Sequence, residues 1–269
     1  MKVASPKKDP QVEVANSRRV LFNCTIHSPA PFSSSPSPPL KPRQDLESLL
    51  KNLQKEVLEL GGIPNHLQGN SHVFTFNNPV RALEVAVEML SKKSVWGMDS
   101  GYPDTLRIVV GLDMETLAGR LPEKSGFSRV ISKEELLRSK QLCDLALEWG
   151  VGCLSTGPVL GQDALEPKLF PGMAPAQFSA RLAGYKSLSQ DLQMDSIFEV
   201  FQGDTPDLET YKKASRRMLT HTINLVLKGA YSDAFQVLLT LQKAHGHRAQ
   251  ADPLFKYYLS LSRRALEYP

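Results

Sequence analysis

Chemistry in this chain has to come from a small set of side chains. Cys24, Cys143 and Cys153 are odd in number and lack the CxxC spacing of a zinc or redox pair, so they read as reduced thiols in apolar surroundings. Cys24, His27, His66 and His72 would make a soft nitrogen–sulfur set for zinc if the segment around residue 70 folds beside residue 24. Their spacing is not diagnostic, and the simpler reading of Cys24 is a small buried hydrophobe. Asp113 and Glu115 alternate at the end of an apolar run, where two acids read as a solvated strand end and not as an acid/base couple. Asn70 follows Gly69 and reads as a turn former. Lys140 has the charge to meet a phosphate, but beside Arg138 on one helix it reads as part of an exposed face.

The elements that must position these residues are marked by apolar periodicity and by turn residues. Residues 1–17 are polar and aperiodic, a flexible lead-in. Arg19 to Ile26 is a β-prone run that contains Cys24, and residues 28–42, with six prolines and five serines, form a loop. From Asp45, Leu46, Leu49, Leu50, Leu53 and Val57 have helical spacing, ended by Gly61-Gly62. His66-Leu67-Gln68, the turn pair Gly69-Asn70, and Ser71 to Phe76 read as a hairpin. Asn78-Pro79 opens a second helix, Leu106 to Leu112 is a buried strand, and Phe127 to Ile131 is another. Ser132-x-x-Glu135 matches a capping box for a helix with Leu136, Leu137, Leu142, Leu145 and Ala146 on its core face. Val151 to Ser155 and Ser179 to Val200 supply the remaining strands.

This order predicts an α+β sandwich with a mainly antiparallel sheet over residues 18–202. After Asp204 the pattern turns helical, with segments at 207–228, 231–245 and 252–268. Gly229-Ala230-Tyr231-Ser232-Asp233-Ala234 resembles the turn of a tetratricopeptide-type hairpin. One such unit does not stand alone, so residues 205–269 are expected to pack on the sandwich or on a partner. Tyr257, Tyr258 and Leu261 lie at helical spacing and read as the packing face of this tail, with a partner-binding groove as the other reading.

Composition restricts the function classes. The 269 residues carry a formal charge of +4, with basic side chains scattered among acids, which gives no nucleic-acid footprint. No apolar run approaches the ~20 residues of a membrane span, and MKVASPKKDP has no apolar stretch behind its lysines. The expected location is the cytoplasm.

Taken in order, Val20-Leu21-Phe22, Gly61-Gly62, Gly69 through Phe76, Asn78-Pro79-Val80-Arg81-Ala82-Leu83 through Met89, Leu106 through Val110 with Ala118-Gly119, and Ile197-Phe198-Glu199-Val200 resemble the class III adenylate/guanylate cyclase homology domain. The resemblance implies the ferredoxin-like cyclase sandwich, a homodimer or heterodimer through the cyclase face, and two magnesium or manganese ions acting on ATP or GTP. In the family, two aspartates hold those ions, because hard cations need anionic oxygen ligands. Here they align with Cys24 and Asn70. The purine-reading lysine after a leucine aligns with Ser189 after Leu188, followed by Gln190. The ribose-orienting asparagine and transition-state arginine align with a leucine and with Lys140 or Gln141. With these positions replaced, the chain is expected to lack catalytic residues and cofactors and to work as a signalling or assembly module, by dimerisation or by a protein partner at the tail. The alternatives are a nucleotide sensor without turnover and a divergent cyclase.

Overall fold

The computed structural model describes residues 19–27, 51–68, 71–99, 107–115, 131–161, 178–188 and 193–268. Seven strands, β1 (Arg19–His27), β2 (Ile63–Gln68), β3 (Ser71–Phe76), β4 (Arg107–Glu115), β5 (Cys153–Thr156), β6 (Ala180–Lys186) and β7 (Asp195–Val200), form one sheet in the order β2-β3-β1-β4-β5-β7-β6. Every pairing is antiparallel except β4 with β5. The fold is thus the mixed α+β sandwich with a mainly antiparallel sheet that the element order predicts. The expected lead-in, the loop at 28–42 and almost all of the expected strand at 127–131 lie outside the described residues.

Alternation along the strands divides the core in two. Val20, Phe22, Cys24 and Ile26 of β1, with Phe74, Phe76, Ile108, Val110 and Leu112, pack against α1 (residues 51–59) and α2 (Pro79–Asp99). Val109, Leu154 and Ile197 look the other way, onto α3 (Lys133–Trp149) and onto the C-terminal helices α4 (Pro206–Leu227), α5 (Tyr231–His245), α6 (His247–Ala251) and α7 (Pro253–Glu267).

The helix boundaries follow from their caps. The Val80 amide donates to Asn78 Oδ1 at 2.9 Å, and Pro79 fills the first turn, where no amide donor is needed. At α3 both halves of the capping box are made: Ser132 N to Glu135 Oε2 at 2.7 Å and Glu135 N to Ser132 Oγ at 3.2 Å. The helix stops at Gly150, whose φ of 71° is left-handed. α3 then settles directly on the sheet at Gly111, where an added Cβ would lie 2.8 Å from the Ser139 carbonyl and 2.9 Å from Leu142 Cβ. Only glycine permits that approach.

The C-terminal helices are fastened to the outer strands by buried charge. Arg181 of β6 donates from Nε to Glu199 of β7 at 2.7 Å, and both its terminal nitrogens grip Asp252, at 2.8 and 2.6 Å. Lys212 of α4 reaches Glu199 at 2.6 Å and Asp204 at 2.5 Å. Asp252 is also the N-cap of α7, accepting from the Leu254 amide at 3.1 Å. Along the outer edge of β6, the carbonyls of Ala180 and Ala183 accept from Arg216 and from the Tyr258 hydroxyl. Tyr258 is buried in the second core, and Tyr257 and Leu261 pack against it. Among the described residues no helix is long and apolar enough to cross a membrane.

Candidate functional site

Position 24 is reached from the alternation of β1. Cys24 pairs with His72 of β3 and Val110 of β4, on the face covered by α1 and α2, and is 1% exposed in the apolar cluster there. Burial pushes its thiol well above the ordinary value, and Cys143 and Cys153 push in the same direction. It is a neutral, enclosed thiol. Cys143 and Cys153 are likewise free and buried, with burial pushing Cys143 up to about 12. His72, 8% exposed, is shifted toward its neutral form by burial, and its Nδ1 has no hydrogen-bond partner.

The zinc grouping does not assemble. In the backbone register His27 pairs with Arg107 and His66 with Val73, neither of them opposite Cys24 or His72. Among the described residues no three of His, Cys, Asp and Glu stand together as a metal site. Asn70, Ser189 and Gln190 lie outside the described residues.

Among the described side chains of β1, the buried polar one is Asn23, which the sequence reading passed over. It is 1% exposed and points to the α3 side. Its Oδ1 accepts from Ser71 Oγ at 2.9 Å and its Nδ2 donates to Ser139 Oγ at 3.4 Å. The Cys143 thiol donates to the Asn23 carbonyl at 3.4 Å. This cluster ties β1, β3 and α3 together.

The second set of aligned positions lies on α3. Lys140 is exposed, as expected. Arg138 is not part of that exposed face, and Asp113 is not a solvated acid. Asp113 is 3% exposed and accepts from Arg138 Nε at 2.8 Å and from Thr156 Oγ1 at 3.0 Å. Arg138 also donates to Asp195 at 3.3 and 3.4 Å, and Asp195 accepts from the Leu188 amide at 3.3 Å. Burial alone would lower the Arg138 guanidinium, but Asp113 and Asp195 outweigh it and raise it above its ordinary value. The signal was present in the sequence: 138, 142 and 145 fall on one stripe of α3, the stripe that faces the sheet. Leu188, aligned with the family's leucine, is 2% exposed.

The buried network of Arg181, Glu199, Lys212 and Asp252 also went unread. Lys212 shares a stripe with Ser215, Leu219 and Thr222, all buried. Burial by itself would raise Glu199 and lower Arg181. Each is overcome by its partners: Glu199 is held below the usual carboxylate range by Arg181 and Lys212, and Arg181 is raised by Glu199 and Asp252.

No family model matches the chain, and no curated protein matches it. Solved structures do. Two structures of a bacterial light-regulated adenylyl cyclase superpose with TM-scores of 0.52 and 0.53 at 12% and 11% identity, covering 69% and 70% of this chain and 52% and 53% of theirs. The adenylyl cyclase CyaB from P. aeruginosa gives 0.49 at 15% identity, covering 68% of this chain and 93% of its own. The chain therefore spans about half the length of the light-regulated cyclase it matches. The fold is that of the adenylyl cyclase structures it superposes on.

This corrects the expectation that no cofactor belongs to the molecule, because the proteins that share the fold are cyclases, which use metal ions and a nucleotide. The described residues, however, do not fit a hard divalent cation at position 24. A buried neutral thiol surrounded by Phe22, Val110 and Phe74 offers no anionic oxygen.

Proposed function

We propose that the chain is a cyclase-fold signalling or assembly module that acts by dimerisation or by binding a protein partner, and that it does not cyclise nucleotides. One observation carries this reading: the side chain aligned with the family's first metal carboxylate is a thiol sealed in the apolar core. Two further features support it. Arg138, the guanidinium of α3, is already committed to Asp113 and Asp195, and Lys140, which with Gln141 is one of the two candidates aligned with the transition-state arginine, stands on the exposed side of the helix.

The dimer implied by the family resemblance and the tail formed by α4 to α7 are the two surfaces through which such a module would work. Incubation of the purified chain with ATP or GTP and manganese, with chromatography of the products, tests the catalytic half of the proposal. The expected result is unchanged nucleotide. Accumulation of a cyclic nucleotide, lost when Lys140 is changed to alanine, would make the chain a divergent cyclase instead. Sedimentation across a range of concentrations tests the other half, with self-association expected.

A further inference from the structure

Sheet and tail do not close completely where α3 ends. Between its last turn, the end of β6, and the facing sides of α4 and α7 lies a cleft of ≈ 150 Å³. A cavity of roughly this volume holds a group the size of benzene. Four aromatic side chains line it, Trp149 from α3, Tyr185 from β6, and Tyr257 and Tyr258 from α7, together with five aliphatic side chains of α3, α4 and α7. The Trp149 and Tyr257 rings are 5.8 Å apart, and the Tyr257 and Tyr258 rings stand nearly perpendicular, 5.2 Å apart. Burial raises both tyrosine hydroxyls above their ordinary value, so the rings stay neutral.

Two opposite charges complete the lining, Glu148 on α3 and Lys186 on β6, both exposed. Glu148 accepts from the Tyr257 hydroxyl at 3.4 Å, and Lys186 has no ion-pair partner among the described residues. The two therefore do not neutralise each other. Aromatic faces beside a carboxylate attract a weakly hydrated cation. Lys186 repels a bare cation but attracts an anionic group on the same ligand. An apolar occupant would use the rings and neither charge.

We infer that this cleft binds a compact zwitterion of the betaine class, with its quaternary ammonium among Trp149, Tyr185 and Tyr257 beside Glu148, and its anionic group on Lys186. This site is independent of whether the chain turns over nucleotide.

Calorimetry of the full chain with glycine betaine, choline and 3,3-dimethylbutanoate tests it, the last being the isostere without positive charge. Glycine betaine should bind, and 3,3-dimethylbutanoate should bind roughly tenfold more weakly for want of the cation–π and carboxylate attraction. Choline should also be weaker, having nothing for Lys186. Glu148→Gln should weaken betaine several-fold, and Lys186→Met should bring betaine down to the choline level. Both positions are on the surface, and circular dichroism checks that each variant folds. Three results would overturn the proposal: no heat with betaine at millimolar concentration, equal binding of the uncharged-head isostere, or a Lys186→Met variant with unchanged betaine affinity. Co-sedimentation with phosphatidylcholine vesicles in place of binding to free betaine would overturn the free-ligand assignment in favour of a lipid headgroup.

Discussion

Side chains inside a β-strand are chosen by what surrounds them, and Cys24 lies in an apolar cluster with neutral His72 as its ladder partner. Restoring an acid there is informative. Cys24→Asp would bury an unpaired carboxylate, and we expect it to lower the unfolding free energy by about 3–5 kcal/mol, in urea titrations with or without magnesium. Rescue by magnesium would show that oxygen ligands do converge on position 24. The opposite situation holds at Asp113, whose charge is met by Arg138 and whose second contact is Thr156. Arg138→Met strands that acid. The cost should be about 2 kcal/mol, less than for a wholly enclosed pair, because the guanidinium is 22% exposed. A change within error would mean that Thr156 and the Met114 amide suffice without it.

Among the elements, α3 is the one whose position is most tightly prescribed, because it rests on a bare stretch of backbone at Gly111. Gly111→Ala must push the helix away from the sheet, and we expect about 1–3 kcal/mol of destabilisation from that overpacking. Loss of the Asn23–Ser139 contact should accompany it, read as faster exchange of the Asn23 side-chain amide; an alanine variant as stable as the parent would contradict the close packing. Elements of this kind were largely legible beforehand. The capping box of α3, the Asn-Pro start of α2 and the strand–turn–strand spacing at 66–76 are local signals that the structure bears out, although β2 begins earlier, at Ile63. What stayed hidden were partnerships between residues far apart in sequence. Asp113 with Arg138, and Arg181 with Asp252, are 25 and 71 positions apart. Stripe analysis can say that Arg138 or Lys212 faces inward, but not which acid waits there, so Asp113 was taken for a surface group and Glu199 and Asp252 were passed over. The register of His66 was hidden for a related reason, since it depends on the bulge between Pro64 and His66.

For the molecule as a whole, the buried network makes sheet and tail one cooperative structure. Arg181→Met should cost about 3–5 kcal/mol by leaving Glu199 and Asp252 short of a cation. Adding Glu199→Gln to it should recover part of that loss in urea unfolding, whereas additive losses would argue against a shared network. The network also sets a pH dependence. The Glu199 carboxyl titrates below its ordinary range in the folded chain, so its contribution is complete above about pH 4.3 and disappears as pH falls through the folded value. Lys212, shifted upward through Glu199 and Asp204 against the effect of burial, contributes fully below about pH 10.4 and is lost only as pH climbs beyond its folded value. Urea midpoints should therefore be flat above about pH 7, fall as buried His72 comes to be protonated more readily in the unfolded chain below about pH 6.5, and drop further in acid, and a steep change between about pH 7 and 9 would contradict the assignment.

The outer rim of β6 has one more consequence. Its Ala180 and Ala183 oxygens are occupied by side chains from the chain's own helices. A neighbouring molecule cannot extend the ladder there without first prising those helices loose. Growth by strand addition, whether into ordered filaments or disordered aggregates, is thereby blocked along that margin for as long as the C-terminal helices stay in place. Conditions that loosen them, acid above all, would convert a protected border into a sticky one.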